Sequence, residues 1–178
     1  MKIIKKKFKD LRLIKHKKFS DHRGFLKFNF NKKIINWDNF VFDYIAHSKK
    51  NVFRGFHFQY KNQQSKIISV IKGKILDYAI DLRKNSKTFG KFYKIIISDK
   101  KNISLYIPKG FAHGYLALEK ENIVICKQSN LYNSKFEGGI IWNDKSLKIK
   151  LPLVKPILSK KDKSQKSFIQ FKKEYNYL

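Results

Sequence analysis

Cysteine, arginine, alanine and acidic residues are the scarce components of this 178-residue chain. The single cysteine, Cys126, excludes an internal disulfide and a cysteine zinc site. No stretch approaches the roughly 18 consecutive apolar residues that a spanning helix requires. The start, Met1-Lys2-Ile3-Ile4-Lys5-Lys6-Lys7, lacks the apolar region of a secretory signal. Helical periodicity is nearly missing, and neither an internal repeat nor a linker is found. What is present is apolar: 42% hydrophobic residues and 15% aromatics, with 16 Phe and 9 Tyr, too much for a disordered chain even with 30% charged residues. At roughly 150 residues per domain, the expectation is one soluble, cytoplasmic domain over 1–178. Its core spans about 12–158, and 159–178 form a C-terminal surface segment with docked aromatics.

Lys plus Arg number 41 against 13 Asp plus Glu, a formal charge of 41 − 13 = +28. Such a balance raises nucleic acid as a partner, but lysine is spread from end to end. Only four of the 41 are arginines: Arg12, Arg23, Arg54 and Arg83. Base readout and phosphate clamping favour the guanidinium fork. With only four alanines beside abundant Ile, Lys, Asn and Phe, the composition reads as coding bias that leaves a solvated lysine surface, with no specific nucleic-acid partner. In such a chain an arginine marks a place needing bidentate geometry. Three of the four stand in distinctive contexts, Asp21-His22-Arg23-Gly24, Val52-Phe53-Arg54-Gly55 and Asp81-Leu82-Arg83.

Short β-branched and aromatic runs between Gly, Asn, Asp, Ser and Pro predict an all-β sandwich or barrel. Strands are expected at Arg12–His16, Gly24–Asn29, Phe40–Ile45, Val52–Phe58, Ile67–Lys72 and Lys74–Asp81. Further ones are expected at Gly90–Ser98, Ile103–Ile107, His113–Leu118, Ile123–Gln128 and around Ile140–Trp142, with one helical turn within Ile34–Phe40. Alternation in Lys74–Asp81 puts Asp77, Ala79 and Asp81 on one face, either a polar cavity wall or a solvent edge, and Leu76, Tyr78 and Ile80 on the other.

Pro108-Lys109-Gly110-Phe111-Ala112-His113 is a P-x-G-x-x-H turn that delivers His113 into a strand. It resembles the second half of the cupin signature, where the His ligates a metal. The matching first half reads His57-Phe58-Gln59 and then Lys66. An ammonium repels a divalent ion, so no metal is expected. A lysine in a cavity can instead stabilise an enolate formed when a base removes a proton beside a carbonyl. His57 is the natural base; its alternative is a core histidine satisfied by a neighbour. Arg54 and His57 are three apart and would face opposite ways on a regular strand, so a bulge at Gly55 is predicted to turn both inward.

Seven blocks in order resemble the dTDP-4-dehydrorhamnose 3,5-epimerase family. They are Phe19-Ser20-Asp21-His22-Arg23-Gly24-Phe25, Arg54-Gly55-Phe56-His57-Phe58-Gln59, Gly73-Lys74-Ile75-Leu76-Asp77 through Asp81-Leu82-Arg83, Ser86-Lys87-Thr88-Phe89-Gly90-Lys91, Ile107-Pro108-Lys109-Gly110-Phe111-Ala112-His113-Gly114, Gly139-Ile140-Ile141-Trp142-Asn143-Asp144 and Leu158-Ser159-Lys160-Lys161-Asp162. The resemblance runs from about Arg12 to Asp162. It implies a cupin-like double-stranded β-helix (jelly roll) with little helix, working as a homodimer on a nucleotide-sugar. The 4-keto-6-deoxyhexose would be inverted at C3, C5 or both. No cofactor is implied, because the ketone acidifies the neighbouring protons. His57 would be the base and Asp162 its partner, Lys66 would hold the enolate oxygen, and Asp77 would orient Lys66. Arg23 and Arg54 would hold the diphosphate, His113 and Gln59 would line the sugar pocket, and Phe19 and Tyr132 would stack on the base.

The chain departs from the family at the proton donor, where the tyrosine is matched by Cys126. A thiol of pKa ~8.5 can donate a proton but is shorter than a phenol. Tyr78, Tyr115, Tyr132 or water are the other candidates. Asp43-Tyr44-Ile45-Ala46-His47-Ser48 likewise replaces polar residues of the nucleotide site with Tyr44 and Ala46. Two other readings stand beside epimerisation, a ketoisomerase on the same fold and a noncatalytic cupin that binds nucleotide-sugars or polyanions.

Overall fold

The computed structural model describes residues 1–5, 8 and 10–175, without the Lys5 side chain. Residues Lys2–Lys5 form β1, Arg12–Lys15 β2, Lys18–Asp21 β3, Gly24–Lys27 β4, Phe42–Lys49 β5, Phe53–Gln59 β6 and Lys66–Lys72 β7. Lys74–Asp81 form β8, Phe92–Ser98 β9, Ile103–Ile107 β10, Phe111–Ala117 β11, Glu121–Gln128 β12 and Glu137–Gly139 β13. Two short helices follow, α1 (Lys160–Lys163) and α2 (Phe168–Glu174). One sheet has the order β1-β2-β10-β7-β12-β5, the second β13-β6-β11-β8-β9, and β3-β4 stand apart as a hairpin. Pairing between these strands is antiparallel throughout. Two facing antiparallel sheets of this order make the cupin-like jelly roll. Among the described residues no helix is long and apolar enough to cross a membrane.

Strand alternation sorts the side chains into three layers. Between the sheets, Ile68, Val70, Leu105, Ile107 and Val124 of the first meet Ile75, Ala79, Ile97, Phe111 and Tyr115 of the second. The outer face of the five-stranded sheet carries Phe53, Phe56, Phe58, Tyr78, Ile80 and Leu116, covered by Ile140, Leu147, Phe168 and Phe171. On the outer face of the other sheet, Ile14, Ile67 and Tyr106 are covered by Ile35 and Trp37. Beside them His16 Nε2 lies 2.6 Å from Ser104 Oγ, which meets Ser69 Oγ at 2.6 Å, so this buried polar row is satisfied.

The C-terminal helices were invisible to strand periodicity, yet α2 packs Phe168 and Phe171 onto the outer face of the five-stranded sheet. Ser167 opens α2 with a capping box to Gln170. Phe171, 1% exposed, packs edge-on to Phe58 at 5.4 Å between ring centroids. Phe171→Ala is expected to cost about 3–5 kcal/mol, read as a lower urea midpoint at unchanged slope.

Several sequence expectations shift. The strand around Ile140–Trp142 is instead β13, where Gly138 and Gly139 admit the Phe58 ring and the Gln165 side chain; Ile140 continues the pairing by exchanging backbone hydrogen bonds with Phe56 and bridges to Lys166. The helical turn within Ile34–Phe40 starts earlier, with the Ile35 amide donating to the Asn31 carbonyl. β1 and β3 were hidden by lysines that break the alternation. The bulge at Gly55 is present. The β6–β11 register shifts there, Gly55 has φ +130°, and a Cβ on it would lie 2.5 Å from Gly114 Cα.

Candidate active site

The jelly roll encloses a cavity of about 570 Å³, within the size range of small-molecule sites. Arg54, His57, His113 and Tyr115 reach it from the five-stranded sheet. Phe42, Tyr44, Lys66 and Gln128 reach it from the six-stranded sheet, and Tyr132, Glu137, Lys161 and Asp162 close its rim. The bulge turns both Arg54 and His57 into this space.

His57 Nε2 donates to Asp162 Oδ1 at 2.6 Å. Asp162 is 3% exposed and is held by the Ser159 N-cap, whose Oγ accepts from the Asp162 amide at 3.0 Å. Burial pushes the Asp162 carboxyl up, but hydrogen bonds from His57 and Ser159 outweigh it and keep the group ionised below its ordinary range. An ionised carboxylate must accept, so Nε2 carries the hydrogen, and in the neutral ring the lone pair is on Nδ1. Glu137, which the sequence reading missed, lies 3.9 Å from Nδ1 and is bound by Tyr132 Oη and Lys161 Nζ. Its only sequence signal was its place just before Gly138-Gly139.

Lys66 is 6% exposed, and its Nζ donates to the His57 carbonyl at 3.3 Å. Burial lowers its pKa, while the charges of Cys126, Glu137 and Asp77 oppose that shift. Asp77 makes no hydrogen bond to Lys66 and acts on it through its charge. Its Oδ2 lies 2.8 Å from His113 Nε2, and its Oδ1 has no hydrogen-bond partner. Asp77 therefore sets the ring of His113, the cross-strand partner of His57, and reaches Lys66 only through space. Asp81 leaves the cavity wall. Its carboxylate is clamped by Arg83 and by the Ser86 and Thr88 hydroxyls, so it builds the loop after β8.

Arg54 Nε donates to Ser48 Oγ at 3.0 Å, and Ser48 Oγ lies 3.1 Å from Tyr115 Oη, leaving a cation at the cavity wall. Gln59 lines the cavity, but its amide is committed to Asn62, Leu131 and Asn133, so it shapes the loop carrying Tyr132. Arg23 and Phe19 do not join the cavity of their own chain. They sit on the β3-β4 hairpin, with Arg23 paired to Asp21 at 2.6 Å and its side chain 78% exposed. Cys126 is 1% exposed and does not line the cavity; burial raises its thiol pKa although Lys66 and Tyr44 oppose that. Tyr78, another donor candidate, faces the outer cluster with an unpartnered hydroxyl. Among the described residues no group of three or more His, Cys, Asp or Glu is placed to hold a metal ion.

The site contains a histidine base with its carboxylate, a buried ammonium within the same cavity and a guanidinium at the wall. Such a set can take a proton from carbon beside a ketone, hold the enolate and bind an anionic group. The family model for dTDP-4-dehydrorhamnose 3,5-epimerase matches residues 5–170. A dTDP-4-dehydrorhamnose 3,5-epimerase of Shigella flexneri is 37% identical over 95% of this chain and 97% of its own. Among solved structures, the Bacillus anthracis dTDP-4-dehydrorhamnose 3,5-epimerase with TDP and PPi bound is 38% identical, with TM-score 0.90 over 93% of this chain and 98% of that one. The dTDP-6-deoxy-D-glucose-3,5-epimerase of Legionella pneumophila, in complex with dTDP-4-keto-L-rhamnose, is 33% identical, with TM-score 0.92 over 98% of this chain and 96% of that one. Since the match runs through both sheets and past the α1 carboxylate, the chain belongs to the dTDP-4-dehydrorhamnose 3,5-epimerase family.

Proposed function

We propose that this protein inverts C3, C5 or both of a nucleotide-linked 4-keto-6-deoxyhexose of the dTDP-4-dehydro-6-deoxyglucose type. The observation that carries the reading is the His57–Asp162 contact of 2.6 Å in a cavity that also holds buried Lys66. His57 Nδ1 takes the proton from the carbon beside the ketone, the C–H electron pair moves onto the C4 oxygen, and Asp162 stabilises the imidazolium. Lys66 faces the developing oxyanion, where a fixed charge in a desolvated site is worth far more than in water. Return of a proton to the other face restores the ketone with inverted carbon, so nothing is oxidised or reduced and no cofactor is needed. Arg54 meets the diphosphate at the wall, and Tyr132, 52% exposed at the rim, offers a face to the nucleobase.

Arg23 and Phe19 enter this scheme through a homodimer. A two-stranded hairpin is marginal alone in water, and β3-β4 exposes Phe19, Phe25, Leu26 and Phe28. A second copy that covers them would receive Arg23 near its own diphosphate. Sedimentation is expected to read two chains, and Arg23→Ala to raise KM more than it lowers kcat; a fully active monomer contradicts this. The reaction itself is tested by proton NMR of the protein with dTDP-4-keto-6-deoxy-D-glucose. The expected product is an inverted 4-keto sugar. A ketone moved to C3 would show a ketoisomerase, and an unchanged, tightly bound sugar would show a noncatalytic binder.

A further inference from the structure

Inversion requires that the proton return from the side opposite the base, so the donor belongs on the wall facing β6. That wall is the six-stranded sheet. The side chains it sends into the cavity include Tyr44, Lys66 and Gln128. An amide is no acid at neutral pH, and Lys66 is spent on the oxyanion. Tyr115 lies on β11, beside β6 on the base's own sheet, and its hydroxyl is tied to Ser48. Tyr132 sits at the rim, donating to Glu137 Oε2 at 2.6 Å.

Resting on the epimerase reading, we propose that Tyr44 is the general acid that protonates the carbon on the face opposite His57. Two strand positions make this possible. Tyr44 on β5 and Cys126 on β12 are direct cross-strand partners, so the two places where the sequence departs from its family are one pair on one face. Alternation directs Phe42, Tyr44, Ala46 and Ser48 inward together, and Ser48 Oγ bonds Arg54. The Tyr44 hydroxyl shares a hydrogen bond with the Cys126 thiol, which holds the phenol at this wall. Tyr44 is 41% exposed and lines the cavity, as a group that meets substrate must. Burial of its hydroxyl raises the phenol pKa, with Cys126 and Tyr115 adding to the rise, so the acid stays loaded at neutral pH. In the step, the O–H bond of Tyr44 breaks as the carbon–hydrogen bond forms and the enolate pair returns to carbon. The phenolate then regains a proton from water while His57 releases one, which closes the balance.

The test is proton NMR of native protein and Tyr44→Phe with dTDP-4-keto-6-deoxy-D-glucose in D2O. Phenylalanine keeps the ring against Phe42, so thermal melting should be nearly unchanged. Tyr44→Phe is expected to slow inversion by about 100-fold or more while His57 still exchanges the proton on its own face. The starting sugar then gains deuterium without changing configuration. Three results overturn the inference: inversion within a few-fold of native, labelling and inversion falling by one common factor, or Cys126→Ala losing inversion that Tyr44→Phe retains. Native protein that labels neither carbon overturns the epimerase reading and this inference with it, whereas native inversion beside equally fast Tyr44→Phe inversion overturns the inference alone.

Discussion

His57→Ala is expected to lose about 10⁴-fold in kcat, the upper end of what a positioned general base contributes, with KM changed little. The ring makes one strong bond, to Asp162 at 2.6 Å, and is 28% exposed at its side chain. Its removal should therefore cost less stability than a core truncation. The carboxylate left behind keeps its hydrogen bond from Ser159 and the opposing charge of Lys161. Loss of turnover with retained nucleotide binding, measured by calorimetry with dTDP, would separate chemistry from binding. Deuterium exchange should vanish at every carbon that inverts, because without the base no enolate forms. A variant that still exchanges would place the base elsewhere, with Glu137, 3.9 Å from the ring, as the next group to examine.

Lys66→Met is expected to lower kcat by about 10²–10³-fold, the usual range for one donor at an oxyanion. The fold should survive, since replacing a buried charge by an apolar side chain of similar length is often neutral or stabilising. The pH profile gives the sharper signature. Burial lowers the Lys66 pKa from 10.5, so raising the pH discharges it earlier than a surface lysine. The neutral amine no longer stabilises the enolate, and kcat falls on the alkaline side below pH 10.5. The Tyr44 phenol, whose pKa is raised, stays protonated through that interval and does not supply this limb. Lys66→Arg, slower for want of the same geometry, should move the limb to higher pH. An alkaline limb that persists unchanged in Lys66→Arg would contradict the assignment.

Much of this site was legible before any coordinates, for physical reasons. A three-residue spacing between Arg54 and His57 has one simple solution if both are to face inward, and Gly55 supplied it. Asp162 was placed by resemblance alone, because no periodicity links a C-terminal helix to β6; only the Ser159 cap shows how it is held. Asp77 and Asp81 looked equivalent by alternation, yet the guanidinium and hydroxyls after β8 capture one and His113 captures the other. Arg23 and Phe19 were legible as residue types, but strand alternation does not say that their hairpin stands apart from both sheets and from this chain's cavity. The pairing of Tyr44 with Cys126 was the least legible feature. Sequence shows two unrelated departures, and only the β5–β12 register makes them neighbours.

The most direct test of the central claim is deuterium wash-in at C3 and C5 of dTDP-4-keto-6-deoxy-D-glucose, followed by NMR with native protein and His57→Ala in parallel. The account predicts labelling with inversion at C3, C5 or both in the native protein and none above the uncatalysed background in His57→Ala. Equal labelling by the two proteins would contradict a His57-based epimerase.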